Sequence, residues 1–314
     1  MSKPFPFSMR LPVIAAPMFL VSGPELVIAA CQAGIGGAFP TPNCRTVAEL
    51  DQWMDTITRG LKPGDGPWIA NLITHSTNAR LADDLALVAR YKPPIVITAL
   101  GSPRPVMETV KGYGGLVFAD VVNIALARKA AAAGVDGLAC ISAGAGGHTG
   151  HLSPFAFVSA VREFFDGHLI TGGGIADGAG IAGAIAAGAD LVYMGTRFLA
   201  TTESRAQGPY KQMVVESGPD DLVVTAAITG TPASWLKPSL RDAGLDPEAL
   251  GGPIVRDYSG DSAHKRWRDI WAAGQGLGRI DAVDDVASVV ARLEQEYRAA
   301  SDRFIRLAGR RDVA

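Results

Sequence analysis

Cysteine is scarce in this chain of 314 residues: Cys31, Cys44 and Cys140 are odd in number and far apart. That excludes a disulfide framework and the paired spacing of a zinc site, and it fits a reducing, cytoplasmic setting in which each thiol is a small buried hydrophobe. An excess of one charge is missing too. Lys+Arg 29 against Asp+Glu 31 leaves a net charge of −2, so there is no electrostatic footprint for nucleic acid or an anionic membrane surface. No stretch approaches the roughly 18 apolar residues that a membrane span needs, and Met1-Ser-Lys-Pro-Phe-Pro lacks the apolar centre of a secretory leader. A P-loop lysine, a Gly-x-Ser-x-Gly elbow and a His-Glu-x-x-His pair are likewise absent, which argues against nucleotide triphosphate hydrolysis, serine hydrolysis and zinc proteolysis. His148 and His151 stand three apart, but no Asp, Glu or Cys nearby completes a ligand set, so no metal is expected.

What the chain does have is apolar residues, 48% of the total against 19% charged, enough for a large core. Short apolar runs recur, separated by helical patterns, which is how parallel βα units read. Eight strands are expected: 13–16, 35–39, 68–72, 95–99, 116–119, 137–141, 169–171 and 191–194. Ala29 to Gly36, Ala131 to Asp136 and Ile185 to Asp190 form a weak repeat, each a small-residue helix end, a glycine in the left-handed position and entry into a strand. The reading is an α/β protein, a (β/α)8 TIM barrel. A doubly wound open sheet is the structural rival, weakened because no Gly-x-Gly-x-x-Gly opens the first unit. Pro232, Pro238, Pro247 and Pro253 punctuate a different pattern. Residues 206–265 are therefore expected as a smaller inserted, mainly helical lid, and 1–205 with 266–314 as the barrel, closed by a helix carrying Val286, Val289, Val290, Leu293 and Tyr297 on one side.

Chemistry concentrates at the strand ends. Ser142 to Gly150 places His148 in a stretch almost without side chains, directly after the sixth strand. Glycines there let backbone approach a ligand closely, and an imidazole in that setting is the natural proton carrier. The seventh strand runs into Gly172, Gly173 and Gly174 and a helix near Asp177, and the eighth into Gly195 and Thr196. Barrels build phosphate cradles at these two ends from backbone N–H groups and a helix N-terminus. Ala15 to Met18 put apolar groups at the mouth after strand one, and Asn71 ends strand three. Asn71 either hydrogen-bonds a flat heterocycle or caps its own loop. His75, His168 and His264 have no comparable context and read as structural or surface residues.

The segments 11–18, 144–150, 173–178 and 188–198, taken together and in this order, resemble the nitronate monooxygenase family, formerly called 2-nitropropane dioxygenases. The resemblance implies an FMN-binding TIM barrel with a small lid and no metal. By position it places Ala16, Pro17, Met18 and Asn71 around the isoalloxazine ring and Gly173, Gly174, Gly195 and Thr196 at the FMN phosphate. Gly146 and Gly147 join this cofactor set beside the catalytic His148. The implied reaction oxidises an alkyl nitronate, or a nitroalkane, with O2 to a carbonyl compound and nitrite. His148 would take the α-proton or hydrogen-bond the nitronate. The implied partners are thus a small molecule and O2, with a homodimer left open. Two positions depart from the family pattern: Gly144 stands where many relatives have glutamate, and Asp120 where some have lysine. An anion at 120 pointing inward disfavours an anionic reduced ring. An NAD(P)H-dependent reductase of quinones or enoyl thioesters is the alternative within flavin chemistry, and a flavin-free phosphate-binding isomerase or aldolase the alternative from another class.

Overall fold

A computed structural model describes residues 4–252 and 267–309. His264 and the end of the expected lid lie outside the described residues. The expected strands all form, with ends moved by a residue or so: β1 (Val13–Ala15), β2 (Gly36–Pro40), β3 (Trp68–Ile73), β4 (Ile95–Ala99), β5 (Leu116–Val121), β6 (Gly137–Ile141), β8 (His168–Gly172) and β9 (Leu191–Met194). These eight pair in parallel into a closed barrel, and β1 closes it by pairing on both sides, Ile14 lying opposite Gly36 and opposite Tyr193. The short strand β7 (Gly147–His148) lies in the β6–β8 connection and belongs to a different sheet.

Period-two alternation sorts the strand residues. Ile14, Ile69, Ile95, Ile97, Phe118, Ile170 and Leu191 form the inner cluster, each contributing about 1.5–3 kcal/mol by leaving water. Their sequence neighbours Val13, Ala70, Val96, Val117, Leu169 and Val192 face the other way, into the cluster beneath the helices. Those helices are α1 (Pro24–Gln32), α2 (Val47–Gly60), α3 (Leu81–Tyr91), α4 (Arg104–Gly112), α5 (Ile124–Ala132), α6 (Pro154–Arg162) and α7 (Gly178–Ala186). The repeated helix ends behave as expected: Gly34, Gly134 and Gly188 hold φ of +85°, +82° and +110°, a conformation that costs other residues about 1 kcal/mol or more.

After β9 come α8 (Thr196–Leu199), α9 (Gly208–Glu216), β10 (Leu222–Thr225), β11 (Ala233–Leu236) and α10 (Lys237–Asp242). The segment read as a mainly helical lid thus also carries two strands. β10, β11 and β7 form an antiparallel sheet, which joins the glycine loop of β6 to the insertion. Two strands of four residues and Pro-punctuated flanks leave too short a period-two signal to read. The chain returns through α11 (Val286–Ala308), whose Val286, Val289, Val290 and Leu293 are buried as expected. Helix α7 receives α11 at Gly178, where any Cβ would overlap the Tyr297 backbone nitrogen.

Candidate active site

The C-terminal ends of the barrel strands gather most of the residues singled out above. Ala16 continues β1, its N–H donating to the Met194 carbonyl on β9 at 3.1 Å. The loop that follows is pinned by two side chains. Ser22 Oγ accepts from the Met18 N–H at 2.9 Å, and Asn43 Nδ2 donates to the carbonyls of Met18 and Ser22 at 3.0 and 2.7 Å. Met18 is thereby held over Gly195: a Cβ placed there would lie 3.6 Å from Met18 Sδ and 3.9 Å from Ala16 Cβ. The ends of the first and last barrel strands are therefore in contact, with Pro17 between Ala16 and Met18.

Strands β8 and β9 are neighbours, Gly172 lying opposite Tyr193, so the two glycine turns stand side by side. Gly173 has φ +145° and a Cβ there would sit 2.5 Å from the Ala143 carbonyl oxygen. The turn is thus closed to any side chain. The N–H of Gly174 donates to the Gly144 carbonyl at 3.0 Å, so its amide is engaged within the protein. Helix α7 begins where expected, after Asp177, but its first-turn amides are also engaged: Gly180 N–H donates to Asp177 Oδ1 at 2.8 Å and Gly178 N–H to Glu296 Oε2 of α11 at 2.9 Å. The turn that opens from Gly195 is α8, where Phe198 and Leu199 N–H both donate to the Gly195 carbonyl. The amides ahead of them, Thr196 and Arg197, have no intrahelical carbonyl within reach.

A buried polar floor lies within the mouth. Asn71, inward-facing on β3, donates from Nδ2 to Asp120 Oδ2 on β5 at 3.0 Å. The two cross β4, whose residue in register with Ile73 is the small Ala99. Asp120 therefore points inward, and Asn71 binds a carboxylate rather than capping its loop. Burial pushes the Asp120 carboxyl up to about 7, with the Asn71 hydrogen bond acting in the opposite direction. Tyr193, on β9, is pushed well above the usual phenol range, first by burial and then by the Asp120 charge. Asp120 Oδ1 and the Tyr193 hydroxyl are both buried without a hydrogen-bond partner. Polar atoms in that position are costly unless something binds them.

His148 is half-buried on β7, opposite Ala233 of β11. Its ring meets Trp267 edge-on at 5.3 Å, and Trp267 leans on Trp235 at 4.5 Å. The loop that carries it, with Gly146 and Gly147, returns to the barrel where Thr149 Oγ1 donates to the Ser142 carbonyl at 3.0 Å. A strap of residues 272–275 lies across this loop. Gln275 N–H donates to the Gly144 carbonyl at 2.9 Å, and Gly274 N–H to Thr196 Oγ1 at 2.9 Å. A Cβ at Gly146 would fall 2.7 Å from the Ala273 carbonyl carbon. Sequence reasoning did not reach this strap or Tyr193. Tyr193 shares the inward parity of Leu191 and was in principle readable, whereas the strap meets Thr196 from 78 residues away.

The other histidines lie elsewhere. His168 is buried at the opposite end of β8, stacked on Phe118 at 6.0 Å, and His75 Nδ1 is paired with Thr77 Oγ1 at 2.8 Å. All three cysteines are buried, and burial pushes each thiol up to about 12, leaving them unreactive near neutral pH. No cluster of metal-ligating side chains occurs among the described residues.

The orphaned floor and the cradle that excludes side chains fit a flat polar heterocycle with an anionic tail, and the protein is a flavin-dependent oxidoreductase built on a TIM barrel. More particularly, the chain belongs to the nitronate monooxygenase family, whose profile matches residues 6–296. A nitronate monooxygenase of Paraburkholderia phytofirmans is 30% identical, with 95% of each chain covered. A 5-hydroxy-7a-methyl-1-oxo-octahydro-1H-indene-4-carboxyl-CoA dehydrogenase of Mycobacterium tuberculosis is also 30% identical, over 73% of this chain and 64% of the relative. Among solved structures, a nitroalkane oxidase from Streptomyces ansochromogenes superposes with a TM-score of 0.79 at 27% identity, covering 94% of this chain and 97% of the other. FabK from Thermotoga maritima gives 0.78 at 26%, covering 95% and 96%.

Proposed function

We propose that this chain is an FMN-dependent nitronate monooxygenase that oxidises alkyl nitronates with O2 to carbonyl compounds and nitrite. The observation that carries the reading is a convergence at one mouth: the Ala16–Met18 loop on Gly195, the Asn71–Asp120 floor, two adjacent glycine turns and, on the sheet joined to their loop, His148. In this reading Ala16, Pro17, Met18 and Asn71 surround the ring, Gly146 and Gly147 pass close to it, and Gly173, Gly195 and Thr196 hold the phosphate. Gly174 contributes shape rather than its engaged amide. When bound, FMN supplies the electron acceptor that the side chains lack.

The protein's own part is positioning and proton handling. His148 takes the α-proton of a nitroalkane or donates a hydrogen bond to a nitronate oxygen, which keeps the developing charge matched. Residues 206–265 act as a lid, and Trp235 and Trp267 behind His148 exclude water from one side of the imidazole. No helix among the described residues is long and apolar enough to cross a membrane. The three buried, unpaired cysteines support a reducing, cytoplasmic setting. The nitronate monooxygenase relative and the nitroalkane oxidase neighbour support the substrate class.

A second reading, a reductase or dehydrogenase working on an acyl thioester with NAD(P)H, is favoured by the Mycobacterium tuberculosis relative, whose substrate carries a CoA group. Anaerobic mixing separates the two. Bleaching of the flavin by a nitronate and not by NADH or NADPH supports the monooxygenase; rapid bleaching by a nicotinamide and none by nitronates overturns it.

A further inference from the structure

The neutral side of the mouth's floor has a use that the oxidation itself does not assign. Asp120 is a carboxyl with one oxygen already committed: Oδ2 accepts from Asn71 Nδ2 at 3.0 Å, while Oδ1 is buried with no partner. A proton on this carboxyl is therefore best placed on Oδ1, because Oδ2 is already the acceptor of an N–H. Among the described residues no ion pair joins Asp120 to a cation, and its only resolved influences are burial and Asn71. Asn71 faces Asp120 from β3, Tyr193 from β9 stands near with its own hydroxyl unpartnered, and on β6 the apolar Ala139 lies opposite Asp120 in register. An unpaired carboxylate in such a place is unfavourable, and a neutral acid with an unused O–H is a donor in search of an acceptor.

We propose that Asp120 is a cofactor-contacting residue that, as the neutral acid held by Asn71, donates a hydrogen bond from Oδ1 to an acceptor atom of the flavin ring, so that flavin binding and protonation of Asp120 are coupled. This rests on the flavin reading of the mouth. The consequence is an affinity that depends on pH. Below about 7 the carboxyl already carries its proton and binding needs none; above it, the ring enters only as Asp120 takes one up.

The test is flavin affinity against pH in the wild-type protein and in Asp120→Asn, each stripped of flavin and titrated with FMN by fluorescence quenching. Ionisations of FMN and of His148 are common to both proteins and cancel in the ratio. The wild-type affinity is expected to fall about tenfold more than that of the variant between about pH 6 and about pH 8. Superimposable profiles with tight binding overturn the role of Asp120 and leave the flavin reading intact, whereas no FMN binding by the wild type at any pH overturns the flavin reading itself. Calorimetry of the wild type alone, in buffers of differing ionisation enthalpy, covers the case in which the variant fails to fold. Uptake of close to one proton per FMN at about pH 8 that disappears at about pH 6 supports the coupling, and no uptake at either pH overturns it.

Discussion

Gly144 and Gln275 interlock although 131 positions separate them: the Gln275 N–H donates to the Gly144 carbonyl at 2.9 Å, and a Cβ on Gly144 would lie 2.7 Å from Gln275 Oε1. The same carbonyl accepts from Gly174 N–H at 3.0 Å. One backbone oxygen thus ties the histidine loop, the glycine turn after β8 and the returning strap together. A glutamate here would have to displace the Gln275 side chain and adopt the φ of +87° that Gly144 holds, a conformation that L side chains rarely adopt.

Gly144→Glu is accordingly expected to lower stability by about 1–3 kcal/mol from backbone strain alone, read as a shifted urea midpoint. Gln275 can swing aside, so Gln275→Ala in the same chain should recover little of the loss. Full recovery would place the cost in the side-chain clash rather than in the backbone.

His148→Ala should retain flavin, because the side chain is assigned to proton handling and not to holding the cofactor. Turnover of a nitroalkane should fall by about 10²- to 10⁴-fold. Rates equal to wild type in steady-state nitrite assays would remove His148 from the mechanism.

Gly173→Val meets the Ala143 carbonyl 2.5 Å from the new Cβ, in a φ that valine rarely adopts. The turn must open, and the expected outcome is lower flavin content in the purified protein, measured by absorbance against protein concentration. Equal flavin content would count against the phosphate cradle.

Asp120 also sets a pH dependence of folding in the flavin-free protein. Its carboxyl titrates at about 7 when folded against an ordinary value of 3.8, so between these two the folded state binds more protons than the unfolded one. Stability therefore falls as pH rises through that window and levels off above it, by up to about 4 kcal/mol. Asp120→Asn should flatten this part of the profile in denaturant titrations from about pH 4 to about pH 8. An unchanged slope would show that some other group carries it.

The barrel was legible because its signals are local and repeated. Ile69 and Asn71 point one way and Ala70 the other by alternation, and Gly34, Gly134 and Gly188 each end a helix in a conformation that glycine adopts freely. His148 and the two glycine turns stood out for a similar reason, since a run of residues without side chains beside a single imidazole is visible in one dimension.

Other features come from contacts between segments far apart in the chain. Glu296 reaching the start of α7, Gln275 reaching Gly144 and Gly274 reaching Thr196 obey no period, because they arise only once the barrel has closed and α11 has docked. Asp120 shows the division most clearly. Its residue type and strand were readable, but whether it met water or the barrel interior depended on strand register and on Asn71 two strands away. That choice of surroundings, through desolvation, turns an ordinary carboxylate into an acid poised near neutral pH.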